Sequence, residues 1–268
     1  DGIEDIRQRL VRIIGNPATR YSEDPVRMLR VVRFAAKLGF SIEENSQAAI
    51  SQCRHLLADI PAARLFDETL KLFMAGFAAP TIEHLAKYEL LELLFPETLS
   101  AMNDPSSRGL ILTAMANTDA RVARGKPVTP AFLLGALLWP AVTARGRDIA
   151  SAGTHEGSPI NAAGQIVIAN TLQRVSIPKR FSIPMREIWE LQSRLEKCSP
   201  KRVRSILSQR RFRAAFDLLL LRSESSDELK STVTFWEEQQ LLFPDVVGSL
   251  PAAEIPKRKR QPHRRKRN

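Results

Sequence analysis

Apolar side chains recur at helical spacing from the first third of this chain almost to its end, and strand-type alternation is nearly absent. That pattern leaves an all-α architecture as the expected fold class. The helix starts repeat one device, a polar N-cap followed by proline at the first helical position, as in Asp24-Pro25, Thr129-Pro130 and Ser199-Pro200. The spacing predicts helices over 24–39, 44–57, 62–76, 80–90, 108–117, 130–145, 160–175, 184–197, 200–209, 211–222 and 226–241. "VRIIGNP" is the single strand candidate, closed by a turn at Gly15-Asn16-Pro17. "MNDPSSRG" (102–109) separates a first helical group from a second, and "RGRDIASAGTHEGSP" reads as a flexible connector. No fixed-period repeat is present.

The 268 residues suffice for one large or two small domains. Cys53 and Cys198 are too few for a disulfide scaffold and lack metal-ligand spacing, and the four histidines are scattered, so no zinc site is expected. Low cysteine usage fits a reducing compartment. No apolar run reaches the ~20 residues that span a bilayer, and no secretory leader pattern opens the chain, so neither membrane insertion nor export is expected. The chain begins at Asp1 rather than Met, which predicts further sequence upstream.

Net charge is +11 and unevenly spread. Lys257, Arg258, Lys259, Arg260, Arg264, Arg265, Lys266 and Arg267 form a block without an acid, leaving the body only mildly basic. A block of this kind repels itself, buries nothing and is expected to be disordered. Its cations suit contact with nucleic-acid phosphates; a solubilising or localisation function is the alternative.

The helix expected from Asp24 raises a chemical question. At ~100° per residue, Asp24, Arg27 and Arg30 fall on one side, extended by Arg33 and Lys37, while Leu29, Val32 and Ala36 take the other. A carboxylate only accepts hydrogen bonds and a guanidinium only donates them. An Asp24–Arg27 pair could therefore match the donor–acceptor edge of adenine or cytosine and leave guanine or uracil unpaired. The plain alternative is an N-cap carboxylate with a local ion pair.

The whole stretch "RIIGNPATRYSEDPVRMLRVVRFAAKLGF" resembles the neck motif of bacterial poly(A) polymerases and CCA-adding tRNA nucleotidyltransferases of the second class. The likeness continues through "DIPAARLFDETLKLFMAGF", "VTPAFLLGALLW", "IPKRFSIPMREIWELQ" and "RRFRAAFDLLLLR", and so covers essentially the whole chain. The later segments and the basic tail favour the poly(A) polymerase branch. The resemblance implies template-independent transfer of AMP from ATP to RNA 3′ ends, in the cytoplasm. CCA addition to tRNA is the first alternative, and a noncatalytic RNA-binding remnant is the second.

Residue by residue, the resemblance assigns Asp24 and Arg27 to the nucleotide-base pocket, with Arg20 and Arg30 at the basic positions around it. Arg64 and Glu68 correspond to the neck pair that braces it; a local pair of Arg64 with Asp67 or Glu68 is the alternative. It implies four parts: a remnant of the catalytic head (1–22), the neck (23–103), a helical body (104–250) and the tail (251–268). The family head carries a glycine-rich phosphate loop and an Asp-x-Asp pair that holds Mg²⁺. Neither occurs in this sequence, and Glu4 and Asp5 are poor substitutes. Mg²⁺ is therefore expected only with a head, and the isolated chain is expected to be inactive.

RNA contact is expected from the tail and from Lys201, Arg202 and Arg204. Arg210, Arg211 and Arg213 make the stripe longer but incomplete, and Lys179 and Arg180 are candidates to extend it. Trp139, Trp189 and Trp236 lie in apolar helical contexts, so core packing is their expected use rather than base stacking.

Overall fold

The computed structural model describes residues 2–153 and 157–249. Among these, fifteen α-helices and one two-stranded ladder form an all-α fold, as the periodicity requires. A first group comprises α1 (Gly2–Arg7), β1 (Leu10–Val11), α2 (Pro17–Glu23), α3 (Val26–Leu38), β2 (Ser41–Ile42), α4 (Glu44–Cys53) and α5 (Ala62–Phe73). It continues with α6 (Ala78–Lys87), α7 (Leu91–Leu94) and α8 (Pro96–Ala101). The second group is α9 (Pro105–Ala123), α10 (Pro130–Ala152), α11 (Pro159–Leu172), α12 (Lys179–Glu196), α13 (Val203–Leu207), α14 (Phe212–Ser223) and α15 (Glu228–Leu242). No described helix is long and apolar enough to cross a membrane.

The proline device is used at four α-helix starts. The side chains of Asn16, Asp104, Thr129 and Ser158 accept from N–H groups at 19, 107, 132 and 161, each with proline next in sequence. Thr129-Pro130 is as expected. Asn16-Pro17 starts α2 where the sequence suggested only a turn. Ser199-Pro200 opens a 3₁₀ turn with no side-chain cap, so the helix expected over 200–209 is shortened to α13.

Asp24-Pro25 departs most from expectation. A residue before proline is pushed out of the α region, and Asp24 is extended (φ −148°, ψ 92°). The helix expected from 24 therefore begins at Val26 as α3, Asp24 stands ahead of it in extended backbone, and a separate helix, α2, ends at Glu23. The "MNDPSSRG" break shrinks to the Asp104 cap, and α9 runs from Pro105 to Ala123. Most of the expected connector is the last two turns of α10, which ends on Gly153 in the left-handed region (φ 63°). α12 starts before Pro184, whose missing N–H costs one bond close to the helix start.

β1 pairs in parallel with β2, Leu10 opposite Ser41 and Val11 opposite Ile42. This ladder ties the N-terminal segment to the far end of α3. Ile6, Ile14, Phe34 and Leu38 stay exposed around it. α10, apolar on nearly all sides, is the central rod, packed by α8, α9, α11 and α12; α12 then carries α14 and α15. All three tryptophans are core residues. Trp189 and Trp236 donate their indole N–H groups to the Gly135 and Leu195 carbonyls, both at 2.9 Å. Trp139 carries the Arg222 guanidinium on its face.

Candidate nucleic-acid interface

The extended backbone at Asp24 decides the electrostatics where α2, α3 and α5 meet. Its backbone carbonyl still accepts the Arg27 N–H at 3.0 Å, but its carboxylate turns away from Arg27 toward α5. There Arg64 donates to Oδ1 at 2.8 Å, and Arg30 lies 3.8 Å from Oδ2. Arg30 reaches on to Glu68 Oε1 at 3.4 Å, and Lys71 meets the same oxygen at 2.9 Å. Glu68 is almost fully buried, and α5 presents it with Arg64 on successive turns of one face. The local pairing of Arg64 with Asp67 or Glu68 is replaced by this link to Asp24.

Arg27 belongs to a second node. Its guanidinium donates to Glu23 Oε2 at 3.0 Å and to the Arg20 carbonyl at 3.1 Å, and Arg20 shares Glu23 Oε2 at 2.6 Å. The expected side-by-side Asp24–Arg27 pair is thus not formed. Its members are split between two nodes because the chain bends between them. Sequence reasoning missed Glu23, although its three- and four-residue spacing to Arg20 and Arg27 marks it as their partner.

Five cations (Arg20, Arg27, Arg30, Arg64, Lys71) face three carboxylates in this corner, a surplus of two positive charges. Each guanidinium has five N–H donors, of which the contacts above use one or two. With Arg20, Arg30 and Arg64 each about two-fifths exposed, donors remain for an anionic or acceptor-rich ligand. Arg33, on the same helix, stacks on Phe34 and has a buried Nε without a partner among the described residues. Asp5 is held by Arg12 at 3.1 Å, and Arg12 also pairs with Glu43. No three His, Cys, Asp or Glu side chains come together as a metal site among the described residues.

The second basic stretch divides into paired and unpaired members. Arg211 pairs with Glu187 at 2.8 Å, and Arg213 with Asp217 and Gln240. Arg204 stacks on Phe243. Lys201 and Arg202 are exposed and line a hollow with Arg194 and Lys197, which sequence reasoning missed. Lys179 and Arg180 stand ~21 Å away at the other end of α12, where Phe181 packs on Phe66 of α5. They stand on the α5 side of α12, apart from the stripe. The tail cations from Lys257 to Arg267 lie outside the described residues.

A family model described as "Probable RNA and SrmB- binding site of polymerase A" matches residues 39–102, and one described as "Polymerase A arginine-rich C-terminus" matches 152–268. The chain is 38% identical to Poly(A) polymerase I of Escherichia coli O6:H1, over 98% of its own length and 59% of that relative. It is 37% identical to a CCA-adding enzyme of Anoxybacillus flavithermus over 35% of its length and 23% of that relative. A crystal structure of Bacillus stearothermophilus CCA-adding enzyme in complex with CTP shares the fold, at TM-score 0.53 and 21% identity, covering 91% of this chain and 52% of that one. The chain spans about three-fifths of the curated poly(A) polymerases it matches.

Proposed function

Because the chain belongs to the bacterial poly(A) polymerase family, we propose that it serves transfer of AMP from ATP to RNA 3′ hydroxyls. Its part is the neck side of the ATP pocket and the RNA-holding surface. The observation that carries this reading is the extent of the likeness. It runs over 98% of the chain for a poly(A) polymerase, but over only 35% for the CCA-adding relative. We assign residues 1–22 to the end of a catalytic head, 23–103 to the neck, 104–250 to the body and 251–268 to the tail. The exposed apolar side chains around β1 fit a boundary with a further domain.

In this reading Arg20, Arg27, Arg30 and Arg64 form the nucleotide-facing corner. Glu23 and Asp24 hold them as two braced pairs, and buried Glu68 anchors Arg30 from behind. Selection of adenine then comes from the shape and donors of a braced pocket rather than from one Asp–Arg pair on the base. Charge neutralisation and activation of the attacking hydroxyl are the chemistry that Mg²⁺ would supply to such a transfer. The residues present do not fit it, since they include no Asp-x-Asp and no described acidic cluster. No step through the metal is assigned to this chain, and the catalytic carboxylates belong to the head. The partner is RNA with a free 3′ end, and the compartment the cytoplasm.

CCA addition is the second reading, favoured by the 93-residue likeness to a CCA-adding enzyme. The test joins the full chain to a catalytic head of the family and compares ATP with CTP on an RNA primer. Preferential AMP addition is expected; equal CMP addition would transfer the assignment to the tRNA branch. The chain alone, with Mg²⁺, ATP and primer, is expected to transfer nothing, and turnover would overturn the placement of catalysis in a head.

A further inference from the structure

A hollow of about 460 Å³ opens between the last turn of α12 and α13, at the end of α12 remote from the neck. Its walls carry Arg194, Lys197, Lys201 and Arg202, with the hydroxyls of Ser199 and Ser205 between them. Among the described residues, buried Ile206 is the one apolar lining residue, and neither a carboxylate nor an aromatic ring lines it. None of the four cations is in an ion pair among the described residues. Nearby Arg211, Arg213 and Arg222 all are.

Four like charges gathered around one concavity raise its potential, and an anion with several acceptor oxygens relieves that. Guanidinium and ammonium donors together with hydroxyls match phosphate oxygens. The absence of an aromatic lining residue removes the means of stacking a base. The volume accommodates a sugar–phosphate unit. A second observation points the same way. Gly248 donates its N–H to the Leu207 carbonyl at 2.8 Å, so the segment that leads to the basic tail is tied to α13, beside the hollow.

We propose that this hollow is a site for backbone phosphate of single-stranded RNA, a second anchor distinct from the neck corner. It takes RNA without regard to sequence and works together with the tail. The inference rests on the reading of the chain as an RNA-holding part.

The test uses the full chain and a labelled oligo(A) of about 16 nucleotides, titrated at several salt concentrations. Combined Arg194→Gln, Lys197→Gln, Lys201→Gln and Arg202→Gln substitution should weaken binding about tenfold. The slope of log affinity against log salt should shrink by about 0.7 for each phosphate that is no longer neutralised. Exchanging Lys197→Arg and Lys201→Arg should preserve both. Unchanged affinity and slope, with helical circular dichroism intact, would overturn the site. Should the combined variant lose its helices, Lys197→Gln and Lys201→Gln singly, both at exposed positions, give the same readout. If deleting residues 257–268 weakens binding while the pocket variant does not, the site falls and the RNA-holding reading stands. If the parent chain binds no RNA, both fall. Inorganic pyrophosphate binding the parent more tightly than oligo(A), and failing to bind the variant, would reassign the hollow to free phosphate and overturn the RNA assignment.

Discussion

Asp24 shows how a residue can be recognised in sequence and its partner misjudged. Its type and its company of arginines were legible; its contact was not. The wheel placed Asp24 on one helix with Arg27, whereas the constraint proline places on its predecessor holds Asp24 extended ahead of α3, where its carboxylate meets Arg64. Glu43 carries a prediction at this scale. Burial is the largest single influence and pushes its carboxyl up. Hydrogen bonds from the Ser46 and Asn45 N–H groups and the Ser46 hydroxyl, together with the Arg12 charge, outweigh it and bring the carboxyl below its ordinary 4.5. A depressed folded-state value means stabilisation that is complete above 4.5 and lost as pH falls through the folded value. Urea midpoints measured from neutral pH downward should fall below pH 4.5, and Glu43→Gln should be less stable at neutral pH with a shallower acid limb.

Among the elements, the long amphipathic and apolar helices were legible because burial enforces their period. α1, α2, α7 and α8 were not, since a helix of one or two turns shows no period to read. The contact between α11 and α12 gives a sharper test. A Cβ on Gly164 would stand 3.0 Å from Trp189 Cε3 and 3.3 Å from Cζ3. The indole cannot retreat easily, because it is buried and its N–H is committed to the Gly135 carbonyl. Gly164→Ala should therefore destabilise by ~1 kcal/mol or more even after its gain in helix propensity, lowering the thermal midpoint by several degrees. Gly146→Ala crowds the Ile160 Cδ1 methyl at 2.9 Å, which can rotate aside, and meets the Pro159 carbonyl and Ala163 Cβ at the ordinary contact distances of 3.8 and 3.9 Å. It should be close to neutral. Equal destabilisation at both positions would contradict the packing described between these helices.

For the molecule as a whole, charge and fold class came from the sequence, while the grouping of charge came from the folded chain. Deleting residues 257–268 removes eight cations. In salt titrations with single-stranded RNA it should lower the slope by about 0.7 for each phosphate the tail had neutralised, while thermal stability of the helical body stays within ~0.5 kcal/mol. An unchanged slope would remove the tail from RNA capture. Composition, local charge density and apolar period are properties of residues near one another along the chain, so the sequence alone determined an all-α protein with a basic end and an arginine-rich stretch from Arg20 to Arg33. The link from Asp24 to Arg64 joins residues forty positions apart. The pairing of Arg211 with Glu187 joins residues twenty-four apart, while Lys201 and Arg202, beside Arg194, have no ion pair among the described residues. Which cation meets which carboxylate depends on how helices bend and stack, and only the tertiary structure fixed that, because side chains distant in sequence share a dielectric environment only once packing has brought them together.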